Sequence, residues 1–451
     1  MNIIIVGCGQ VGRALAEQLS ESDNNITVID NDPENLRRVT DKFDVMGVIG
    51  NGASYSVQKD AGVSKADLLI AVTNSDELNL LCCIIAKKAS DCQTIARVRS
   101  HEYSMETPFL RDELGLAMVI NPERAAAEEM ARVLRFPSAL SVEPFSKGRV
   151  ELIKIRLPAS SVLVGMSVRE VTAKYRQDIL FCTVERGEEA FVTKGDLVFE
   201  PRDVVSIMAT PKNAQSFLSK IGYKTHAVNS VMIAGGGEIT HYLCSILKKS
   251  KIHVTVVEKN REICDKLSID FTDVEVIHAE APYQEVIEDE GISGQDAVIA
   301  ATDLDEENIM LSLFARANTE KKVITKIKRI DYDSIMQKLD LDTVIYPKNI
   351  TADTIAKHIR SAKNTRASNM ESFYSLIKGK VEASEFIVRT QSKITGKPLS
   401  ELKLKDNVLV GAIIRGGNVI MPRGYDTIEE GDSVIVVSGT MGLHDITEIL
   451  V

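Results

Sequence analysis

Gly7-Cys8-Gly9-Gln10-Val11-Gly12 closes an apolar run, Asn2 to Val6, and opens an amphipathic one. In that setting Gly7 permits a tight turn, Gly9 lets the backbone approach a pyrophosphate, and Gly12 lets helix and strand pack closely. The helix N-terminus adds free N–H groups and a partial positive charge for phosphates. Asp30 ends the next apolar run 18 residues after Gly12, where a carboxylate accepts hydrogen bonds from both hydroxyls of an adenosine ribose. It also repels a 2′-phosphate, which disfavours NADP. The implied chemistry is recognition of a dinucleotide or ADP-like molecule. A glycine loop alone is equally a ligand-free turn, but strand, helix, acid and spacing together favour a ligand. Thr73-Asn74 follows the apolar run Leu68 to Val72, at the carboxyl edge where such ligands lie. Arg97 ends Thr94 to Ala96 and reaches either a phosphate or a surface ion pair.

The motif occurs twice. Val231-Met-Ile-Ala-Gly235-Gly236-Gly237-Glu238-Ile239-Thr240 repeats the opening, with Gly235, Gly237 and Glu258 each 228 positions beyond Gly7, Gly9 and Asp30. Thr302-Asp303 answers Thr73-Asn74, and Lys326 answers Arg97. This copy departs from the pattern, because Thr240 replaces the third glycine and Glu238 puts negative charge beside the phosphate position. Glu258 still offers a ribose-binding carboxylate, so the second loop either binds nucleotide with another affinity or preference, or serves as a turn.

These residues need strands and helices to hold them. Apolar strands alternating with helical periodicity predict βαβ units on a parallel sheet. Val11, Ala14, Leu15, Gln18 and Leu19 form one helical stripe, matched by Ile239, Tyr242, Leu243, Ile246 and Leu247. Asn121-Pro122-Glu123 places a cap, a first-turn proline and an acid before the helix Ala125 to Leu134, and Tyr346-Pro347 starts its equivalent less cleanly. Beyond each α/β segment, Lys147 to Glu151 and Lys378 to Glu382 open regions of short β-branched runs with glycine turns. The expected order is large, small, large, small: modules at 1–136, 141–225, 229–360 and 370–451, with seams at Phe136 to Pro144, Gly222 to Ser230 and Ser361 to Met370. The fold class is therefore α/β: two Rossmann-like doubly wound sheets, each followed by a small α+β module.

The 451 residues are ample for several cores, and 44% hydrophobic with 26% charged residues excludes a disordered or collagenous chain. A net charge of −10 argues against nucleic acid and anionic lipid as partners. No run reaches the roughly 18 apolar residues of a spanning helix, and Met1 to Gly7 lacks the basic region of a signal peptide. Seven scattered cysteines suit neither disulfides nor a metal knuckle, so buried thiols in a reduced, cytoplasmic protein are expected. No metal site is expected. His241 and His278 lack a visible carboxylate partner, and Glu285, Glu288, Asp289 and Glu290 read as a solvated helix face.

The whole order resembles the RCK (also called KTN) family in its tandem form, the cytoplasmic regulatory subunits of Trk-type potassium uptake systems. Gly7 to Val11, Asp30, Thr73-Asn74 and Arg97 match that family's first nucleotide site; Gly235 to Ile239, Glu258 and Thr302-Asp303 match the second. The resemblance implies a non-enzymatic protein with no catalytic residues, four chains forming a ring of eight modules, and docking beneath a membrane-embedded potassium-translocating subunit at the inner face of the cell membrane. It implies NAD(H), with ATP or ADP as further ligands, as the molecules that alter the ring. The other readings are an NAD-dependent oxidoreductase with duplicated cofactor domains, and a stand-alone nucleotide sensor. The first would need a general acid or base over the nicotinamide, and the small modules offer none with a recognisable partner.

Overall fold

The computed structural model describes the chain except residues 21–23, 102, 104–105, 188, 224–227, 280–293, 319–320, 330–338, 340, 363–367, 378–379, 440–442 and 444. The acids at 285–290 lie outside the described residues, as do parts of the seams expected at 222–230 and 361–370.

Ile3, Ile4, Ile5 and Val6 are all buried, the mark of a parallel strand covered on both faces rather than an alternating one. This strand, β1 (Asn2–Val6), sits centrally among β2 (Asn25–Asp30), β3 (Met46–Ile49), β4 (Leu68–Ala71), β5 (Gln93–Arg97) and β6 (Met118–Ile120). The parallel sheet has the order β3-β2-β1-β4-β5-β6, so the winding reverses between β1 and β4. A crevice opens at such a reversal, outside the carboxyl ends of the strands. The second sheet repeats it as β14-β13-β12-β15-β16-β17, built from β12 (Ser230–Ala234), β13 (His253–Glu258), β14 (Val274–His278), β15 (Ala297–Ala300), β16 (Lys322–Lys326) and β17 (Thr343–Ile345). The chain thus contains two Rossmann-like doubly wound domains.

Two antiparallel five-stranded sheets complete it. One runs β10-β9-β11-β8-β7, from β7 (Ala139–Phe145), β8 (Val150–Arg156), β9 (Ile179–Arg186), β10 (Glu189–Val192) and β11 (Val204–Ala209). The other runs β18-β19-β22-β20-β21, from β18 (Ser368–Ile377), β19 (Val381–Val388), β20 (Val408–Arg415), β21 (Asn418–Ile420) and β22 (Ser433–Ser438). The seam expected at Phe136 to Pro144 is instead largely occupied by β7. It is an edge strand, and an edge tolerates Pro144 because no neighbour needs the missing N–H.

By contact density the chain forms two compact units: Met1–Ala131 with Asn229–Ala356, holding both Rossmann-like sheets, and Arg132–Val228 with Lys357–Val451, holding both small sheets. In the second unit the two sheets share one apolar core, with Phe145, Leu152 and Met208 packed among Ala383, Ala412 and Val437. In the first unit, Gln18 Nε2 donates to Asp353 Oδ1 at 2.9 Å, so the polar position in the first helix's stripe is used against the second copy.

Candidate functional site

The winding reversal of the first sheet opens a cleft of about 380 Å³, within the range of small-molecule sites. Gly7, Gly9, Asp30, Thr73 and Asn74 meet at its walls, drawn from β1, β2 and β4. Gly7 adopts φ +103°, a left-handed conformation that favours glycine. A Cβ on Gly9 would meet nothing within 4 Å, so its backbone faces open space, whereas one on Gly12 would lie 1.8 Å from the Gly7 carbonyl oxygen. Gln10 and Val11 begin the first glycine helix (Gln10–Ser20), with Val11 buried beneath it.

Asp30 faces the glycine loop. Its Oδ2 accepts from Cys8 N at 2.5 Å and its Oδ1 from Asp32 N at 2.9 Å. The carboxylate is thus held in place by backbone donors, a charge-assisted arrangement that fixes its orientation toward the cleft. The Cys8 thiol is pushed up to about 12 by burial and, secondarily, by Asp30, so it is not a nucleophile. Arg97 does not line the cleft: its Nη2 lies 3.2 Å from Glu123 Oε1 in a pair that is mostly buried rather than at the surface.

Several residues that sequence reasoning passed over build this site. Asn79 is fully buried on the helix Asp76–Ala89. Its Oδ1 accepts from Thr73 N and Oγ1 at 2.8 and 2.7 Å, and its Nδ2 donates to Thr73 O and Arg97 O. Asp76 Oδ2 receives the N–H groups of Arg99 and Ser100, each at 2.9 Å. Asn308 and Asp305 repeat these roles for Thr302, Lys328 and Arg329, 229 positions on, so the duplication itself was the available signal. Asn31, Asn35 and Asn51 also line the cleft.

The second loop keeps the design with altered chemistry. Gly235 has φ +101°, and Gly237 faces open space as Gly9 does. Gly236 N donates to Glu258 Oε2 at 2.6 Å and Asn260 N to Oε1 at 2.7 Å, repeating the grip of Asp30. A Cβ on Gly236 would meet Ile263 and Leu267 at 2.9 Å. Thr240 Oγ1 donates to Gly235 O at 2.6 Å, so a hydroxyl bond replaces the bare contact of Gly12. Glu238 is exposed in the first turn of the second glycine helix (Glu238–Leu247), where Ile239 is buried. Lys326 is buried: its Nζ donates to Ala301 O at 2.9 Å and lies 3.9 Å from the exposed Asp303 carboxylate, while burial lowers its pKa. One histidine expectation fails. His241 has a carboxylate partner, its Nε2 lying 2.9 Å from Asp270 Oδ2, contributed from the end of the following helix. His278 Nε2 instead meets Lys259 O.

Comparison with known proteins fixes the family. The TrkA-N domain model matches residues 3–122 and 231–347, and the TrkA-C domain model matches 152–222 and 383–451. The chain belongs to the TrkA family. A Halomonas elongata Trk system potassium uptake protein TrkA is 32% identical over 442 residues, covering 97% of this chain and 95% of that one. A TrkA homolog from Archaeoglobus fulgidus is 30% identical over 450 residues, covering both chains entirely. Among solved structures, the GsuK RCK domain aligns with a TM-score of 0.64 at 16% identity over 97% of this chain and 92% of that one, a likeness of fold. TrkA membership places the chain among potassium uptake proteins rather than the oxidoreductases that share its glycine motif.

Proposed function

We propose that this protein is the nucleotide-sensing regulatory subunit of a Trk-type potassium uptake system and that its first cleft is the stronger site for NAD(H), with ATP or ADP as alternative ligands. One observation carries the reading: in a TrkA-N domain, the open backbone at Gly9 and the anchored Asp30 carboxylate face one cleft, a place for a pyrophosphate and a place for a ribose. The GsuK channel, a relative in fold, has been solved bound to NAD and bound to ADP. Gly7, Cys8, Gly9, Gln10, Val11 and Gly12 form the phosphate loop, Asp30 takes the ribose, and Thr73 and Asn74 form the facing wall. Arg97 positions this wall from behind through its pair with Glu123. In the second domain Gly235 to Ile239, Glu258, Thr302 and Asp303 form the weaker counterpart, with Glu238 opposing phosphate.

The modules 1–136, 141–225, 229–360 and 370–451 act as two RCK pairs, and four chains form a ring docked on a membrane-embedded potassium-translocating subunit at the inner face of the cell membrane. Among the described residues no helix is long and apolar enough to cross a membrane, in keeping with attachment through that partner. A ligand biases such a ring only by its different affinity for the ring's states. Equilibrium titration of the full chain with NADH, NAD, ATP and ADP tests the assignment. Asp30→Ala, by loss of roughly one charge-assisted hydrogen bond, and Gly9→Asp, by placing bulk and a negative charge where the pyrophosphate would lie, should each weaken binding at least about tenfold; undiminished binding in both would remove the first cleft from consideration.

A further inference from the structure

Arg99, two residues beyond β5, touches the first cleft with its side chain and the second Rossmann-like copy with its backbone. Its Nη2 donates to the carbonyl of Asn74, a cleft residue. Its own carbonyl accepts from the Tyr242 hydroxyl at 3.1 Å and from Asn121 Nδ2 at 3.1 Å. The same Asn121 Nδ2 lies 2.9 Å from the Tyr242 hydroxyl oxygen, so the three groups close a triangle. Asn121 Oδ1 meanwhile accepts from Arg124 N at 2.8 Å and caps the helix Pro122–Arg135. Tyr242 is buried on the second glycine helix, in the turn that follows Gly237 to His241.

One small knot therefore joins a wall of the first cleft, the helix that starts at the second glycine loop, and the cap of the helix leading toward the small modules. Each bond depends on orientation, so none of the three groups shifts without the others following or breaking contact. The duplication does not explain it. The position matching Tyr242 in the first copy is Ala14, and that matching Asn121 in the second is Tyr346. Neither partner is required by the repeat.

We infer that the Arg99–Asn121–Tyr242 triangle is the joint through which occupancy of the first cleft is felt by the second glycine helix. The inference rests on the proposed reading of that cleft. A ligand seated against Thr73 and Asn74 changes where the Asn74 carbonyl sits, Arg99 follows it, and the Arg99 carbonyl carries Tyr242 and the Asn121 cap. Coupling of this kind is reciprocal, so anything that moves the second glycine helix alters affinity in the first cleft by the same factor. Tyr242 acts through Arg99 without touching ligand and is a positioning residue.

Tyr242→Phe is the informative change, because it keeps the ring against His101, 5.6 Å away, and leaves Asn121 Nδ2 on the Arg99 carbonyl. The full chain is titrated with NADH by calorimetry, and amide hydrogen exchange is followed over residues 238–247, in wild type, Tyr242→Phe and Asp30→Ala. Binding should change the exchange of 238–247 in wild type. Tyr242→Phe removes the hydroxyl's two neutral hydrogen bonds, neither of them made to a residue that lines the cleft, so NADH binding should stay within about tenfold of wild type while most of the exchange response is lost. Asp30→Ala should lose binding and response together. The joint is refuted if Tyr242→Phe responds like wild type, or if wild type binds NADH with no change at 238–247. It is equally refuted if Asp30→Ala keeps the response, since NADH would then act from the second cleft. Absence of calorimetric binding in wild type refutes the cleft assignment itself, a different result from each of these.

Discussion

Two glycines of one motif should fail in opposite ways when each gains a single methyl group. At Gly12 the new Cβ would lie 1.8 Å from the Gly7 oxygen and 2.9 Å from the Gly7 carbon, both backbone atoms that cannot rotate away. Relief requires the first glycine helix to move off β1 by more than an ångström, and over-packing of this kind costs about 1–3 kcal/mol or more. We expect about 3 kcal/mol for Gly12→Ala, a loss of roughly 6–12 °C in melting temperature for a unit of this size. At Gly9 there is no atom within 4 Å and no positive φ, so Ala fits and the unliganded protein should be unchanged or stabilised by about 0.4–1 kcal/mol. The methyl group then occupies the space where a pyrophosphate would approach, which should weaken NADH binding by about 1–3 kcal/mol, roughly 5- to 150-fold. Thermal melts without ligand and calorimetric titration with NADH separate the two effects. The reasoning fails if Gly9→Ala melts as low as Gly12→Ala, or binds NADH as tightly as wild type. Thr240 shows how a side chain can be accommodated at the third position: its hydroxyl bonds to Gly235 O.

Other perturbations have definite outcomes. Arg415 holds the buried Asp432 with Nε and Nη2 at 2.9 and 2.8 Å, so Arg415→Ala should cost about 3 kcal/mol in urea unfolding and Arg415→Lys should recover less than half of it; Arg186 and Asp203 should respond alike. Burial lowers the pKa of His101 and His358 below the ordinary 6.5, so the unfolded chain binds protons first on acidification. This contribution to stability is complete above pH 6.5 and lost as pH falls through and below that value. Urea midpoints should fall between pH 7.5 and 5.5, the drop should shrink in His101→Gln, and a rising midpoint would contradict it. A Cβ on Gly411 would meet Met208 Sδ at 2.7 Å, so Gly411→Val should disturb the shared core of the small sheets and lower the melting temperature; an unchanged melt would show that Met208 simply swings aside. All seven cysteines are buried, with Cys82, Cys182 and Cys244 pushed up to about 12 chiefly by burial, so maleimide should label none of them before denaturant unfolds the chain.

The parts of the molecule visible in the sequence are those written in local pattern. The glycine loops, the acids at the ends of β2 and β13, the apolar strands and the Asn121 cap each depend on neighbours within about 30 positions. Contacts made across the fold were not legible. Nothing in the first glycine helix says that Gln18 will meet Asp353, and Tyr242 read as one more apolar stripe position although its hydroxyl bonds to Arg99. The role of Asn79 was hidden because its four hydrogen bonds run to Thr73 and Arg97, at the ends of two strands. Pro144 suggested a break, and only the strand order reveals an edge that tolerates it. The Arg186–Asp203 and Arg415–Asp432 clamps were in principle detectable, since each pair is 17 residues apart and the two sets lie 229 positions apart.

Potassium uptake, measured in cells that supply either wild type or Asp30→Ala, is the decisive measurement. Shifting the cell's NADH and ADP levels should alter uptake with the wild-type chain and leave it unaltered with Asp30→Ala, while both variants accumulate to the same level. Uptake that follows nucleotide equally in the two would contradict control through the first cleft.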